Sequence, residues 1–236
     1  MTSALVLLSG GLDSVAAMHW ALATYDDVRA LTFDYGQPHR NAEVPAAGTI
    51  ALRRGVPWTL LHIGEAVRGT VSLRAPSPGD VGGVSRANLA ARNLILLSIA
   101  SAHAAREWPG ATGVDIVIGC NGDDARTFPD CRPTFVAHAW AAMSSALDGV
   151  ARVRPVAPWG EHTKDTVLYW AAARGGDALS DALESVSCYA GTHCGACDAC
   201  TLRARAFANL RAAGIAVEDR RWLPRLCGGD PQRDAR

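Results

Sequence analysis

Lysine is almost missing from this chain. Of its 23 basic residues, 22 are arginine and one, Lys164, is lysine. A coding bias toward arginine accounts for the pattern. Under such a bias a lysine with replaceable chemistry drifts to arginine, so Lys164 is a candidate site residue. Neither charge sign is in surplus: the formal net charge is +0. A protein whose main partner is a long nucleic acid needs a basic excess to neutralise several phosphates, so that partner class is not expected. No apolar run reaches the roughly 20 residues that cross a bilayer. The opening stretch has neither the charged region nor the apolar length of a secretion signal, and a cytoplasmic location is expected. No internal repeat is visible. The seven cysteines are odd in number, and four of them fall within 13 residues. That argues against a disulfide framework and for metal ligation. What remains is a globular composition, 236 residues with 49% hydrophobic and 19% charged, enough for one core with a small appendage.

The pattern alternates. An apolar run at 4–8 enters Ser-Gly-Gly, and helical spacing follows over 12–24. A strand at 28–33, a helix over about 40–54 and a strand at 58–63 come next. Residues 64–87 read as a loop. A helix over 88–107, a strand at 114–119 and a polar exit loop at 120–133 follow. Further helices are expected at about 134–148, 163–174 and 201–213. Strand-helix alternation predicts right-handed crossovers and an α/β fold with a Rossmann-like parallel sheet, whose ligands sit at the C-terminal strand edges. The expected organisation is a nucleotide-binding domain over 1–175, a small helical metal-binding region over 176–227, and a frayed tail over 228–236.

The first strand ends in Ser9-Gly10-Gly11-Leu12-Asp13-Ser14 and opens a helix. Glycines let backbone N–H groups approach an anion, and the helix dipole holds it. Ser9 and Ser14 add hydroxyls. Asp13 repels a bare phosphate, so its natural partner is Mg²⁺ bridging a pyrophosphate. The loop is not a Walker A motif, because it has no lysine. A plain glycine turn is the structural alternative. The pattern is similar to the loop of the PP-loop ATP pyrophosphatases, which cleave ATP between the α and β phosphates. On that reading the ATP contacts are Leu8, Ser9, Gly10, Gly11, Leu12, Asp13, Ser14 and Val15, with Phe33 against the base.

The second motif is Cys188-x5-Cys194-x2-Cys197-x2-Cys200. Four thiolates at this spacing can close a tetrahedral zinc site. An iron-sulfur cluster needs four thiolates as well, and free thiols are the third option. A closed four-cysteine site leaves no open position for water, so its expected role is structural. Arg203 and Arg205 are placed to offset its negative charge.

LLSGGLDS at 7–14, TFDYGQPHR at 32–40, ARNLILLS at 91–98, FPDCRPTF at 128–135, TKDTV at 163–167 and SCYAGTHCGACDACTLRARAF at 187–207 together resemble the 7-cyano-7-deazaguanine synthases, QueC-type enzymes. The likeness runs from about residue 4 to 214. It implies an ATP-dependent ligase that joins a 7-carboxy-7-deazaguanine to ammonia through adenylate and amide intermediates and delivers the nitrile. It also implies one structural Zn²⁺ on the four cysteines, Mg²⁺ with ATP, and a homodimer. Asp13, Ser14, Lys164, Arg92 and Arg132 are the catalytic candidates on this reading. Tyr35, Gln37, Arg40, Arg92, Asn93, Asp130 and Arg132 are the substrate contacts, with Asp130 accepting from the guanine-like edge. His39 is the one histidine expected near the site. Cys131 is read as a buried or substrate-lining thiol, Cys120 as core, and His19 and His103 as satisfied core histidines.

The chain departs from the family pattern at Asn88-Leu89-Ala90-Ala91, where a proline-containing stretch is usual, and at Ala125-Arg126-Thr127-Phe128, where Ser-Gly-Tyr is usual. A divergent adenylating enzyme with a related acceptor, a tRNA-modifying relative and a non-catalytic nucleotide-binding protein are the competing readings. An internal glutaminase is not expected, since Thr2 rather than cysteine follows Met1.

Overall fold

In the computed structural model the described residues are 1–67, 89, 91–109, 113–191 and 193–217. Five parallel strands form one sheet: β1 Ser3–Leu7, β2 Asp27–Asp34, β3 Trp58–His62, β4 Val114–Val117 and β5 Val153–Val156, in the order β3-β2-β1-β4-β5. Eight α-helices are described: α1 Leu12–Leu22, α2 Arg40–Arg53, α3 Arg92–Glu107, α4 Gly122–Thr127, α5 Pro133–Ala146, α6 Lys164–Arg174, α7 Gly176–Glu184 and α8 Asp198–Ala212.

The strands read as unbroken apolar runs because both faces are covered. Alternate residues feed two cores. Leu5, Leu31, Val114 and Ile116 pack with Leu97, Ala100 and Ala104 of α3 and with Ala139 and Met143 of α5. Ala4, Val6, Val28, Ala30 and Val117 pack with α1, with Ala47, Ile50 and Ala51 of α2, and with Val167 of α6. A third cluster joins Leu12, Leu168 and Ala171 to Ala182 and Leu183 of α7 and to Ala206, Phe207 and Leu210 of α8.

The chain leaves β1 toward β2 on one side and returns to β4 on the other. The strand order therefore reverses at β1, and a crevice opens at the carboxyl ends of β1 and β4. The two strand exits touch there. A Cβ on Gly119 would lie 2.7 Å from the Ser14 nitrogen and 2.9 Å from the Asp13 carbonyl carbon. Only glycine lets the β4 exit lie against the first turn of α1.

Several elements differ from expectation. Helix α3 starts at Arg92 rather than 88, after Ala91 in a left-handed conformation (φ 52). The Asp130 carboxylate caps it from another segment, with Oδ2 accepting from the Asn93 N–H at 2.9 Å. The exit loop after β4 contains α4 and a 3₁₀ turn at Pro129–Cys131. Strand β5 was not expected, because its four residues, Val-Arg-Pro-Val, are too short for periodicity to register. Helix α7 was not expected either. It is held by a fully buried carboxylate, Asp181, which accepts from His19 Nε2 at 2.8 Å, from Arg53 at 3.1 Å and from Arg54 Nε at 2.7 Å. His19 is thus a paired core histidine. The loop expected at 64–87 and the tail at 228–236 lie almost wholly or wholly outside the described residues.

Candidate active site and metal centre

The crevice is one cavity lined by the phosphate loop, by the ends of β2 and β4, by the starts of α3 and α6, and by the segment 186–189. The loop is shaped by its own hydroxyls. Ser9 Oγ lies 3.0 Å from Ser14 Oγ, the Gly11 N–H donates to Ser9 Oγ at 3.2 Å, and Ser14 Oγ donates to the Gly11 carbonyl at 2.9 Å. Gly10 has φ 88, and a Cβ on it would stand 2.5 Å from the Glu43 carbonyl oxygen. The loop therefore sits tight against α2. Leu8, Ser9, Gly11, Leu12, Asp13 and Ser14 line the cavity. Val15 points instead into the core under the sheet.

Charged groups gather beside the loop. Lys164, 5% exposed, donates to Asp13 Oδ2 at 2.5 Å. Asp13 Oδ1 has no hydrogen-bond partner among the described residues. Burial acts to lower the Lys164 pKa, but Asp13 and then Asp124 outweigh it, and the net shift is upward. Its backbone N–H donates to Asp123 Oδ2 at 3.0 Å, which fixes the start of α6. Arg92 reaches the Tyr35 hydroxyl at 3.5 Å. The Tyr35 phenol, against the pull of burial, holds the guanidinium above its ordinary range. Loss of solvation pushes Tyr189 up to about 12, so its phenol stays protonated at neutral pH.

Asp124 was not anticipated. Desolvation, then the nearby Asp13 charge, pushes its carboxyl up to about 6, while Lys164 and Arg92 pull the other way. A carboxyl at about 6 when folded and near 3.8 when unfolded binds more protons in the folded state between those values. The folded protein therefore loses stability as pH rises from about 4 to about 6, and the loss stays constant above that. Asp124→Asn is expected to stabilise the ligand-free protein by up to about 3 kcal/mol at pH 7 and by nothing near pH 3.5. Urea midpoints at the two pH values check this; an equal effect at both would contradict the assignment of the shift.

Of the substrate candidates, Tyr35, Gln37, Arg92 and Asn93 line the cavity, and so does Phe33. Gln37 is largely committed to its own turn, with Oε1 accepting from the Tyr35 N–H and Nε2 donating to the Phe33 carbonyl. Asn93 Nδ2 donates to the Asp130 carbonyl at 2.9 Å and lies 3.4 and 3.3 Å from the sulfurs of Cys120 and Cys131. Both thiols line the cavity, so Cys120 is more than core. Three candidates are not brought in. Arg40 is exposed on α2, outside the cavity. Arg132 is exposed too, with Nε donating to the Ala125 carbonyl at 3.1 Å, which braces the loop rather than facing a ligand. Asp130 caps α3 instead of lining the cavity. Asp124 and Tyr189 take their places. Neither stands out in the sequence; the traces it offers are that Tyr189 directly follows the metal-ligand candidate Cys188 and that Asp124 stands five residues before PDCR.

The four sulfurs Cys188, Cys194, Cys197 and Cys200 lie within 4.8 Å of one another, and Cys194 and Cys200 are 3.9 Å apart. Sulfurs on a tetrahedral zinc stand about 3.8 Å apart. The donor set and its spacing thus fit a four-thiolate metal ion. The Cys188 sulfur also lies 3.4 Å from the N–H groups of Ala190 and Cys194. Arg203 is 1% exposed and donates to Ser185, to Ser187 beside Cys188, and to the Ala182 and Leu183 carbonyls at the end of α7. Arg205 turns to Asp123 and Asp165.

The family described as queuosine biosynthesis protein QueC matches residues 3–211. The chain belongs to the QueC family. Within it, the 7-cyano-7-deazaguanine synthase of Aromatoleum aromaticum is 37% identical over 228 residues, covering 90% of this chain and 94% of the relative. That of Thiobacillus denitrificans is 36% identical over 227 residues, covering 90% and 95%. Among solved structures, the U34-tRNA thiolase NcsA of Methanococcus maripaludis, with its [4Fe-4S] cluster, aligns with a TM-score of 0.49 at 16% identity. That alignment covers 90% of this chain and 67% of the thiolase, a likeness too distant to bear on the assignment. Membership of the QueC family fits a site with a lysine-carboxylate pair beside a phosphate loop and four thiolates next to it.

Proposed function

We propose that this chain is an ATP-dependent ligase that converts 7-carboxy-7-deazaguanine and ammonia to 7-cyano-7-deazaguanine, consuming two ATP. The observation that carries the reading is the meeting of the phosphate loop, Lys164, Arg92 and Asn93 in one cavity. In a QueC-family chain this supports the reading, with the loop as the anion binder and the cations as holders of a second, carboxylate-bearing ligand.

A carboxylate is a poor electrophile. In the first stage one of its oxygens attacks the α-phosphorus of ATP, and pyrophosphate leaves with the bonding electrons. Ammonia then attacks the acyl carbon, the C–O bond to AMP breaks, and the amide forms. In the second stage the amide oxygen attacks the α-phosphorus of another ATP, and pyrophosphate again leaves with the bonding electrons. Loss of the nitrogen's protons and departure of AMP leave the C≡N bond. The protein's contribution is positioning and fixed charge. Loop N–H groups and the α1 dipole hold the phosphates. Lys164 and Arg92 offset negative charge at the transferred phosphoryl. Asn93 and Tyr35 orient the acceptor, and Phe33 packs against a ring. Asp13, with its unpartnered oxygen, and Asp124 are the residues that would hold Mg²⁺, which shields phosphate charge.

Zn²⁺ on the four cysteines is the metal proposed for the second centre, in a structural role. The proposal extends to ammonia, free or delivered by a partner, as nitrogen donor, to a cytoplasmic setting, and to the homodimer that the resemblance implies. The test is to supply MgATP, ammonium and 7-carboxy-7-deazaguanine and follow the nucleotide products. AMP with pyrophosphate, dependent on the carboxylate, supports the reading; ADP or intact ATP counts against it.

A further inference from the structure

Two cavity residues have no task in that chemistry. His39 is next to last in the stretch TFDYGQPHR and is the N-cap of α2, and Glu43 follows one turn later. Both line the cavity. His39 Nε2 lies 3.2 Å from Glu43 Oε2, at side-chain exposures of 6% and 16%. The carboxylate fixes the tautomer: Nε2 carries the hydrogen that points at it, which leaves the lone pair on Nδ1. His39 Nδ1 is buried and has no hydrogen-bond partner among the described residues. A buried ring nitrogen without a partner costs stability unless a ligand satisfies it. The ring is held by Tyr189, with centroids 5.8 Å apart. The dyad also abuts the phosphate loop, since the Glu43 carbonyl oxygen is what a Cβ on Gly10 would strike.

This is an oriented base: an imidazole turned by a carboxylate on one nitrogen, the other nitrogen bare, in the cavity where a nitrogen nucleophile must enter. We infer that His39 Nδ1 takes the proton from the attacking ammonia, with Glu43 as the positioning residue that holds the imidazole and steadies its charge. The inference rests on the ligase reading above. As ammonia's nitrogen bonds to the acyl carbon it becomes positively charged. One N–H proton passes to Nδ1, the C–O bond to AMP breaks, AMP leaves with the electron pair, and the amide is neutral. The imidazolium formed is paired with Glu43 and returns its proton to water as products leave. Adenylation itself transfers no proton, so His39 is not needed for it.

That separation is what an experiment reads. Exchange of labelled pyrophosphate into ATP, with the carboxylate present and ammonium omitted, reports adenylation alone. Amide formation in ammonium reports the next step. His39→Asn keeps a polar group where Nδ1 stood but removes the base. It is expected to leave exchange within about threefold of the parent and to slow amide formation by about 10²-fold or more. Glu43→Ala is expected to slow amide formation by about tenfold, and Glu43→Gln, which still accepts from Nε2–H, to recover most of that loss. Circular dichroism and metal content establish that each variant is folded; if His39→Asn is not, the two Glu43 variants give the same reading. Unchanged amide formation in the folded variants overturns the inference alone, as does an equal fall in exchange and amide formation. No carboxylate-dependent exchange in the parent protein overturns the ligase reading and the inference together.

Discussion

Lys164→Ala lowers AMP formation about 10²–10³-fold at saturating ATP, with the sheet still folded. The expectation follows from its place. Lys164 is 5% exposed, opens α6 in the cavity wall, and its ammonium contacts Asp13 beside the phosphate loop. Fixed cations aimed at a transferred phosphoryl group act where water does not screen them, and they need no reorganisation as charge develops. Lys164→Arg is the sharper test. Everywhere else in this chain a basic residue is arginine, so codon usage favours the exchange. A planar guanidinium does not fit a closed contact built for a compact ammonium. The arginine variant is expected to stay within about tenfold of the alanine variant. Parent-like rates in Lys164→Arg would mean that the lone lysine is an accident of drift. Removing one partner of a buried pair also costs stability, about 3–5 kcal/mol at the upper end, so melting curves must accompany the rates.

Loss of the metal ion proposed for the four cysteines is expected to have the other large effect. Four-thiolate sites in small domains supply on the order of 10–16 kcal/mol of apparent binding energy to folding. Here the cluster is built from one ligand in the first turn of α8 and three before it. Two residues ahead of Cys188, the Val186 N–H donates to the Gly10 carbonyl at 2.8 Å. The metal loop therefore leans on the phosphate loop. Cys200→Ser, at a fully buried position, is expected to lower the melting temperature by at least about 10 °C, since each kcal/mol shifts a chain of this size by about 2–4 °C. It is also expected to abolish ATP turnover through the contact with Gly10. Elemental measurement should give one zinc per chain in the parent and little in the variant. Iron with visible absorbance would replace zinc by an iron-sulfur cluster. An unchanged melting temperature would remove the structural role.

Four of the five strands and the long helices were legible: ALVLL and VDIVIG are unbroken apolar runs buried on two faces, and the helical spacing of 92–107 sets an apolar side that faces the sheet. The phosphate loop and the cysteine cluster were legible because their chemistry is local in sequence. What escaped was decided at a distance. The α3 start depends on Asp130, 37 residues away from the N–H that it caps, and no local capping residue announces it. Helix α7 is secured by Asp181 pairing with His19 of α1, Arg53 of α2 and Arg54 just after it, all more than 120 positions earlier. Arg40 and Arg132 sit in motifs with cavity-lining neighbours, and a motif does not say which way each side chain turns. Asp124 was hidden behind Asp123; only the fold shows that Asp123 braces α6 and that Asp124 faces Asp13 and Lys164.

In the ligase reaction the nitrile nitrogen comes from ammonium, and mass spectrometry of the deazaguanine product after incubation with MgATP, nitrogen-15 ammonium and 7-carboxy-7-deazaguanine follows that transfer. The expected product is a nitrile carrying one nitrogen-15 atom, with two AMP and two pyrophosphate for each nitrile formed. Unchanged carboxylate recovered with intact ATP, from protein that is folded and loaded with metal, would contradict it.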